Sequence, residues 1–221
     1  MRGHQPTPAR RLAAAVLVAC GVGAARVPVQ AEVIDRVLAV AAGSIITLTD
    51  VTAALELGFQ SPGTSADPVG AVLAGLIDRQ LILAEVDRYA PPEPTADAVD
   101  REVDAVRARF PNAERFEAAL ARSGRDAARL RETAREDLRI RAYEAQRFTV
   151  AAPTDDDLSA YYRAHQDAFT RDGRVLPFDT VRATVAERVT SERSAALVGE
   201  WVAGLRRRAD IINLYLPQRA R

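Results

Sequence analysis

Few side chains in this sequence carry the chemistry of a catalytic or metal-binding group. The 221 residues include one cysteine, Cys20, and two histidines, His4 and His165, which lie far apart along the chain. A zinc site takes about three or four Cys, His or acidic ligands, and nucleophilic catalysis needs a nucleophile, a base and a group that orients the base. No such constellation accompanies His165, so we expect it on the surface of a helix. We therefore expect no catalytic residue, no metal site and no cofactor.

Cys20 is the one residue whose context indicates a covalent modification. It ends the stretch LVAC, residues 17–20, which is similar to the lipobox in which the cysteine of bacterial lipoproteins becomes the lipidated first residue. The residues that follow Cys20 are apolar, whereas a lipid-anchored protein needs a polar tether there. The sequence therefore favours an unmodified cysteine within a signal segment, with lipidation at Cys20 as the alternative.

The N-terminus has the three parts of a secretory signal peptide. A positive region ends at Arg10 and Arg11, the apolar run LAAAVLVA follows, and small residues lead to VQA before Glu32. The apolar run is much shorter than the roughly 18 residues needed to cross a bilayer. We expect cleavage after Ala31 and a periplasmic mature protein, or a protein anchored to the membrane by lipid if Cys20 is modified.

The charge of the chain is balanced overall but uneven along its length. All 30 basic residues are arginine, and 30 residues are acidic. Four of the arginines precede Glu32, which leaves 26 of them against all 30 acids in the rest of the chain. A mildly acidic body argues against a nucleic-acid partner, because proteins that bind nucleic acids neutralise phosphates with basic residues.

One local run of positive charge is an exception. Arg131, Arg135 and Arg139 recur every four residues, so they lie on one face of a helix. They form either a basic patch for an anionic partner or a solvated face on which Glu132 and Glu136 pair with arginines three residues away. The mixture of both charge signs favours the solvated face.

Hydrophobic periodicity predicts a mainly α-helical, multi-helix domain with a small β-hairpin near its N-terminus. Residues 33–42 alternate as a strand with apolar residues on both faces, so we expect both faces to be covered. Residues 42–44 form a turn, and residues 45–47 form a short returning strand. Thr49 is the predicted N-cap of the following helix, and Asp50 lies favourably in its first turn.

Six more helices are predicted after the hairpin and its helix. The segment 69–89 is apolar nearly all round, which indicates a central helix surrounded by others. The last helix runs to about residue 209, and the strand-like stretch DIINLYL that follows is predicted to pair with the first strand. Thr95 is predicted to open the next helix, Asn112 to precede a short one and Asp126 to begin a longer one. Pro153 and Thr154, followed by three aspartates, predict another helix start, and Pro177 is predicted to open the last helix.

Four stretches of the sequence occur in an order known from one family of chaperones. They are VIDRVLAVAAGSIITLTDV from Val33, VLAGLIDRQLILAEV from Val72, PTDDDLSAYYRAHQDAF from Pro153, and PFDTVRATVAERV followed by ALVGEWVAGLRRRADIINLY from Pro177. In this order they resemble the periplasmic SurA-type chaperones and the related parvulin-type prolyl isomerases, over residues 32–216. The resemblance implies a SurA-like, trigger-factor-like peptide-binding domain.

Two features depart from the family pattern. In the first turn the family usually has Asn-Gly, whereas this chain has Ala42-Gly43. The glycine, which tolerates positive φ, is retained, so we expect the turn to form. Family members that isomerise proline carry a parvulin domain before the last helix, and here that place holds only TRDGRVL, residues 170–176. We therefore expect that the chain is not an enzyme.

The resemblance also implies a domain organisation and a function. With the predicted signal peptide at residues 1–31, we expect a SurA-like chaperone domain over residues 32–216 and a tail at residues 217–221. The domain divides into an N-terminal helical part, 32–152, and a C-terminal part, 153–216, with the last helices and the closing strand. The resemblance implies an exported, ATP-independent holdase for unfolded or partly folded envelope proteins, and it leaves open a homodimer formed by exchange of the terminal helix.

Such a chaperone needs an apolar cradle between helices, with a charged rim that keeps the complex soluble. Aromatic rings suit a cradle because they make contacts that tolerate different sequences. We predict a peptide-binding surface from the aromatic residues outside the most regular core stripes, each of which has a core position as its alternative. These residues are Phe59, Phe110, Phe116, Tyr143, Phe148, Tyr161, Tyr162 and Phe169.

Two other functions stay open from the sequence. The family name favours a peptidyl-prolyl cis-trans isomerase, although the catalytic insert is absent. A lipid-tethered envelope scaffold would use Cys20 as its anchor and the stripe of Arg131, Arg135 and Arg139 as its contact surface.

Overall fold

The computed structural model describes residues 35–217, which form a mainly helical domain with two small antiparallel sheets. The predicted signal peptide, including Cys20, and residues 218–221 of the predicted tail lie outside the described residues. Among residues 35–217, no helix combines the length and the hydrophobicity that a membrane span requires. The strands are β1 Val37–Ala41, β2 Ser44–Thr47, β3 Thr170–Arg171, β4 Arg174–Val175 and β5 Ile211–Asn213. The helices are α1 Leu48–Glu56, α2 Pro68–Tyr89, α3 Ala96–Arg107, α4 Ala113–Arg122, α5 Ala127–Arg147, α6 Asp155–Ala164 and α7 Phe178–Arg208.

The larger sheet joins the two ends of the described chain. Its strand order is β2-β1-β5, and β1 is antiparallel to both neighbours. Ala39 pairs with Ile46 of β2 on one side and with Asn213 of β5 on the other. The predicted fold, a helical domain whose N-terminal hairpin pairs with a C-terminal strand, is confirmed.

A register shift in β1 decides which of its side chains face the core. The shift lies between Val37 and Ala39, and such an irregularity lets neighbouring residues of one strand face the same side. Leu38, Ala39 and Ala41 are all buried as a result. The strand therefore contributes more to the core than a regular alternation allows.

The outer face of the sheet is less covered than the sequence analysis expects. Val40 is half-buried, and its two cross-strand partners, Ile45 and Ile212, are exposed. The expectation that both faces of the first strand are covered therefore holds for the inner face only.

The turn between β1 and β2 forms without the asparagine of the family pattern. Its two central residues, Ala42 and Gly43, have φ of 50° and 79°. Positive φ at both positions is the geometry of the type I′ turn, which matches the twist of a hairpin. Ala42 thus adopts a left-handed conformation that costs an alanine energy.

Capping side chains begin several helices at or next to the predicted starts. Thr95, Asn112 and Asp126 each accept a hydrogen bond from the backbone N–H three residues on. Thr154 forms a capping box with Asp157, in which each side chain bonds the other residue's backbone N–H.

The N-cap of α1 is Thr47, and the prediction of Thr49 is wrong. The Thr47 side chain accepts a hydrogen bond from the Asp50 N–H, and the Asp50 carboxylate accepts one from the Thr47 N–H at 2.7 Å. A capping box needs an acidic or amide side chain three residues after the cap. Thr47 has Asp50 there, whereas Thr49 has Thr52.

The largest hydrophobic core, named here the main cluster, surrounds α2. The helix lies in the middle of the fold as predicted, because its buried side chains point toward several neighbours and not along one stripe. The buried members of the main cluster are Leu38, Ala39, Ala41, Ile46, Val51, Ala54, Val72, Leu73, Ile77, Leu81 and Leu205.

Two smaller cores flank the main cluster. The second cluster joins α1, α3, α4 and the start of α5 through Leu57, Val106, Phe116, Ala119, Leu120 and Leu130. The distal cluster joins α6 and a 3₁₀ turn to the first half of α7 through Leu158, Phe169, Val181, Val185 and Val189. Since Leu205 belongs to the main cluster, the 31-residue helix α7 connects the distal cluster to the main one.

The segment TRDGRVL is an ordered hairpin. Thr170 pairs with Val175 and Arg171 with Arg174, and the Asp172-Gly173 turn between them has positive φ at both residues. The segment after it returns the chain to α7.

Candidate binding cleft

A cleft of about 970 Å³ lies between elements of the described domain. Residues of β2, α1, α2, α5 and α7 line it, together with residues of the segments that follow α1 and precede α5. The volume lies at the upper end of the range for ligand sites, which is about 300–1,000 Å³.

The α7 wall of the cleft is apolar and made of small side chains. The residues of α7 that face the cleft recur at intervals of three or four, which places them on one face of the helix. Leu76, Ile82 and Ile140 of the neighbouring helices add larger apolar groups. The apolar residues on the α7 face are Ala195, Val198, Gly199, Val202 and Ala203.

Two glycines of the cleft, Gly75 and Gly199, differ in the space that a side chain would find at their positions. A Cβ at Gly75 of α2 would meet the Gln60 Oε1 at 2.6 Å, so the Gln60 side chain occupies that space. A Cβ at Gly199 would meet nothing within 4 Å. Because glycine within a helix costs about 1 kcal/mol relative to alanine, Gly199 weakens α7 without gaining a contact in the described chain.

The α5 wall carries a partly buried group of charges. The Arg79 guanidinium of α2 donates to Glu136 at 2.8 Å and to Asp137 at 2.7 Å, and its side chain is 15% exposed. Burial alone would lower the pKa of Arg79, but the carboxylates of Asp137 and Glu136 outweigh it and raise the pKa. The group thus combines one positive charge with two negative charges.

Two further ion pairs lie at the cleft and are balanced. Arg125 pairs with Asp50, the same carboxylate that caps α1. Arg206 of α7 pairs with Asp78 of α2 and also donates to the Ala74 carbonyl at 2.9 Å. The first pair joins the segment before α5 to α1, the second joins α7 to α2, and each leaves no net charge.

Arg129 is the one cleft arginine that forms no ion pair within residues 35–217. The acids nearest to it in sequence have other partners: the Asp126 carboxylate accepts the Arg129 backbone N–H at 2.7 Å, and Glu132 pairs with Arg135 at 2.6 Å. Its side chain lines the cleft near the N-terminus of α5 and is exposed.

Of the eight aromatic residues predicted to bind peptide, Phe59 lines the cleft. It also packs against both the main and the second cluster. Phe110 and Phe116 meet edge to face with ring centroids 5.6 Å apart in the second cluster, where Phe116 is 1% exposed. For Phe116 the structure therefore shows the core position that the sequence analysis gave as the alternative.

Tyr143 and Phe148 pack around Trp201, the single tryptophan of the chain. Tyr143 is 5% exposed, and burial raises the pKa of its phenol. The Arg147 guanidinium stacks over all three rings at 5.7–5.8 Å from their centroids. Tyr143 and Arg147 of this group line a second, smaller pocket of about 250 Å³, which shares no lining residue with the cleft.

Tyr161, Tyr162 and Phe169 belong to the distal cluster. Phe169 is 4% exposed, and the two tyrosines pack beside it. The Tyr162 hydroxyl donates to the Leu176 carbonyl at 2.7 Å, and the Tyr161 hydroxyl bonds Glu192, which raises the pKa of Tyr161. The eight aromatic residues therefore lie in separate places and do not form one surface.

His165 follows α6 as an exposed residue. Its ring stacks on Tyr161 with centroids 4.0 Å apart, and its Nδ1 lies 2.9 Å from the Tyr161 carbonyl oxygen. Within residues 35–217, no group of three or more Cys, His, Asp or Glu side chains is arranged to hold a metal ion.

The arginine stripe of α5 is a face of ion pairs. Arg131 pairs with Asp100 of α3, Arg135 with Glu132, and Arg139 with Asp87 at 2.8 Å and Glu93 at 3.2 Å. Only the Arg135 pair has the spacing of three residues expected from the sequence. The others join α5 to α3, to α2 and to the segment before α3.

The sequence analysis missed the residues that form most of the cleft. Their signal is periodic: the cleft residues of α5 recur every three or four positions, from Arg129 through Thr133 to Ile140. Aromatic residues do not mark this face, because α5 and α7 line the cleft with aliphatic, small and charged side chains.

Neither a comparison with protein-family models nor a comparison with curated proteins gives a match for this chain. A proposal for the function therefore depends on the chemistry of the cleft and on the family resemblance of the sequence.

Proposed function

We propose that this protein is an exported, ATP-independent chaperone that holds segments of unfolded envelope proteins, outer-membrane β-barrels among them, in the cleft. The observation that carries the proposal is one cavity of about 970 Å³ with an apolar wall on α7 and paired charges on α2 and α5. The ordered resemblance to SurA-type chaperones supports the same assignment. The periplasm is the proposed location.

The walls of the cleft suit a segment of variable sequence. Small side chains at Ala195, Gly199 and Ala203 allow a bound backbone to approach α7 closely. Three of the four cleft arginines are already paired with acids, so most of the charge in the cleft is neutralised by neighbouring side chains before a client binds. Contacts of this kind are non-directional and scale with the apolar area removed from water, which favours weak and broad binding.

The proposal is tested by the aggregation of a client. A urea-unfolded outer-membrane β-barrel protein is diluted into buffer with and without the purified protein, and light scattering is followed. We expect suppression near stoichiometric amounts. Unchanged aggregation in the presence of folded protein would overturn the proposal.

Two neighbouring residues of α7 give a matched pair of variants. Val198 lines the cleft, whereas Leu197 is 42% exposed and does not. We expect Val198→Glu to weaken suppression severalfold, because a carboxylate in an apolar wall must be desolvated when a client binds. Leu197→Glu adds the same charge one residue away and should leave suppression unchanged.

The two alternative functions have direct tests. We expect no acceleration of proline isomerisation in a protease-coupled assay, because the place of the catalytic domain holds the short hairpin of Thr170–Arg171 and Arg174–Val175. A rate above the uncatalysed one would favour the isomerase. For the lipid-tethered scaffold, labelling with radioactive palmitate is compared between wild type and Cys20→Ala, and we expect no label in either.

A further inference from the structure

The positive and negative charges of the cleft are equal in number but unevenly distributed along it. Its charged residues are four arginines and four acids. Arg79 pairs with two acids, Glu136 and Asp137, whereas Arg129 pairs with none among the described residues. Pairing of the other two arginines, Arg125 and Arg206, is one to one. The cleft therefore has a negative site at Glu136 and Asp137 and a positive site at Arg129.

Both sites lie on the same face of one rigid helix. Arg129 and Glu136 are seven residues apart on α5, which is close to two helical turns and about 10.5 Å along the axis. Thr133 lies between them, and its hydroxyl donates to the Arg129 carbonyl at 3.1 Å. The separation of the two charges is thus set by the helix and not by mobile loops.

The charges of Arg129, Glu136 and Asp137 face the interior of the cleft, where few other groups neutralise them. The side chains of Glu136 and Asp137 are 24% and 31% exposed, so water screens them less than it screens a fully exposed pair. The facing wall of α7, from Ala195 to Ala203, contributes only apolar side chains to the cleft. The charges that remain unbalanced in the cleft therefore lie along α5.

We propose that the cleft prefers segments in which an acidic and a basic side chain flank apolar residues at a spacing of three or four. This inference rests on the proposed function, since it assumes that the cleft holds polypeptide. A polyproline II chain rises about 3.1 Å per residue and returns to the same side every third residue. Its side chains at positions i and i+3 are thus about 9.3 Å apart, close to the spacing of the two sites. The acidic side chain meets Arg129, and the basic one meets Glu136 and Asp137.

The preference is measured with four fluorescent peptides of equal length and a shared apolar core. One carries an acid and a base three residues apart, one carries two acids, one carries two bases, and one is uncharged. Anisotropy titrations with the full chain should give the mixed-charge peptide the tightest binding, by about fivefold over the doubly charged ones at low salt, as expected for exposed ion pairs. The difference should vanish at 0.5 M salt, where screening extends to only a few ångströms.

A charge-reversal variant makes the test specific to the cleft. Arg129→Glu leaves both sites negative, so the two-base peptide should become the preferred one. Arg101→Glu changes the net charge equally on an exposed position of α3 outside the cleft and should keep the wild-type order. Circular dichroism establishes that both variants are folded.

The outcomes separate this inference from the function on which it rests. Equal binding of all four peptides, or an unchanged preference in Arg129→Glu, overturns the charge preference and leaves an apolar cleft in place. No binding of any peptide, including the uncharged one, overturns the cleft as a polypeptide site as well.

Discussion

Ala42 is one of three non-glycine residues among 35–217 whose φ is positive, together with Ala90 and Asp172. All three lie where the chain reverses or where a helix ends, at positions that usually favour glycine or asparagine. The sequence predicted the turn at Ala42 from the adjacent glycine. It did not predict that an alanine would adopt this conformation, because the neighbouring strands impose it through their pairing.

Ala42→Asn should stabilise the protein. Asparagine tolerates the left-handed conformation better than alanine, which pays about 1–2 kcal/mol for it. We expect a gain of about 0.5–1 kcal/mol in the free energy of unfolding by urea denaturation. The control is Ala42→Val, whose β-branched side chain tolerates positive φ least and should destabilise the hairpin. If both variants lose stability, the turn has another geometry.

Asp157 makes stability depend on pH. The Thr154 N–H bonds its carboxylate at 2.9 Å and Arg193 lies at 2.8 Å, and these contacts lower the pKa of Asp157. A lowered pKa means that this contribution is present above the pKa of the unfolded chain, about 3.9, and is lost as pH falls through the folded pKa. We expect Asp157→Asn to lower the thermal midpoint at pH 7, and we expect its difference from wild type to shrink as the pH falls below the pKa of the unfolded chain and through the lower pKa of the folded one.

A neighbouring carboxylate provides the control for the Asp157 variant. Asp156 lies in the same first turn of α6 but forms no ion pair among the described residues. Asp156→Asn should therefore lower the midpoint at pH 7 by less than Asp157→Asn does. Equal effects of the two variants would mean that the position near the helix N-terminus, and not the capping box, determines the effect.

At the scale of helices and strands, local sequence carries most of the information. Thr95, Asn112, Asp126 and Thr154 mark helix starts by a mechanism that acts within four residues, and the sequence predicted a helix start at or beside each of them. The assignment of Thr49 failed because two threonines lie within reach, and only the partner three residues on distinguishes them. The hairpin of β3 and β4 was missed because its strands are two residues long and have no alternation to detect.

The distal cluster should open more readily than the rest of the fold. It is a small core joined to the main cluster through α7, and small cores with few buried neighbours open at low free energy. Val185→Ala removes two buried methyl groups and should cost about 2 kcal/mol. In hydrogen exchange we expect faster exchange in α6 and the first half of α7, with α2 unchanged.

The matched variant for hydrogen exchange lies in the central helix. Val72→Ala makes the same change at a buried position of the main cluster and should accelerate exchange in α2. If Val185→Ala accelerates exchange equally in α2 and α6, the two clusters form a single cooperative unit and the expectation is wrong.

At the scale of the whole molecule, the strand β5 completes the sheet across more than a hundred residues of sequence. Ile211 packs against the main cluster, whereas the next residue, Ile212, is 51% exposed on the outer face. Ile211→Ser should therefore lower the free energy of unfolding by about 1–3 kcal/mol. Ile212→Ser should change it by less than about 0.5 kcal/mol, and a reversed order would place β5 in another register.

The cleft was beyond prediction from the sequence for a physical reason. Arg79, Arg129 and Val198 come from three different helices, and only tertiary packing determines which faces of those helices meet. The predicted surface consisted of aromatic residues because these side chains offer the largest contact area. In this chain that property places Phe116, Tyr143 and Phe169 inside the protein. Composition and periodicity predict where the helices lie in the sequence. They do not predict which residues of different helices line a common cleft.

The pairing of β1 with β5 has a consequence for how the chain can be rearranged. The Leu214 N–H donates to the Leu38 carbonyl at 2.9 Å, so the two ends of the described segment are neighbours in space. A short linker could join them, and new termini could be opened in the exposed connection between α3 and α4, near Pro111. Circular permutants succeed at such sites when the original ends are close. A permutant opened there would keep the cleft intact and make the sheet a local structure of consecutive strands.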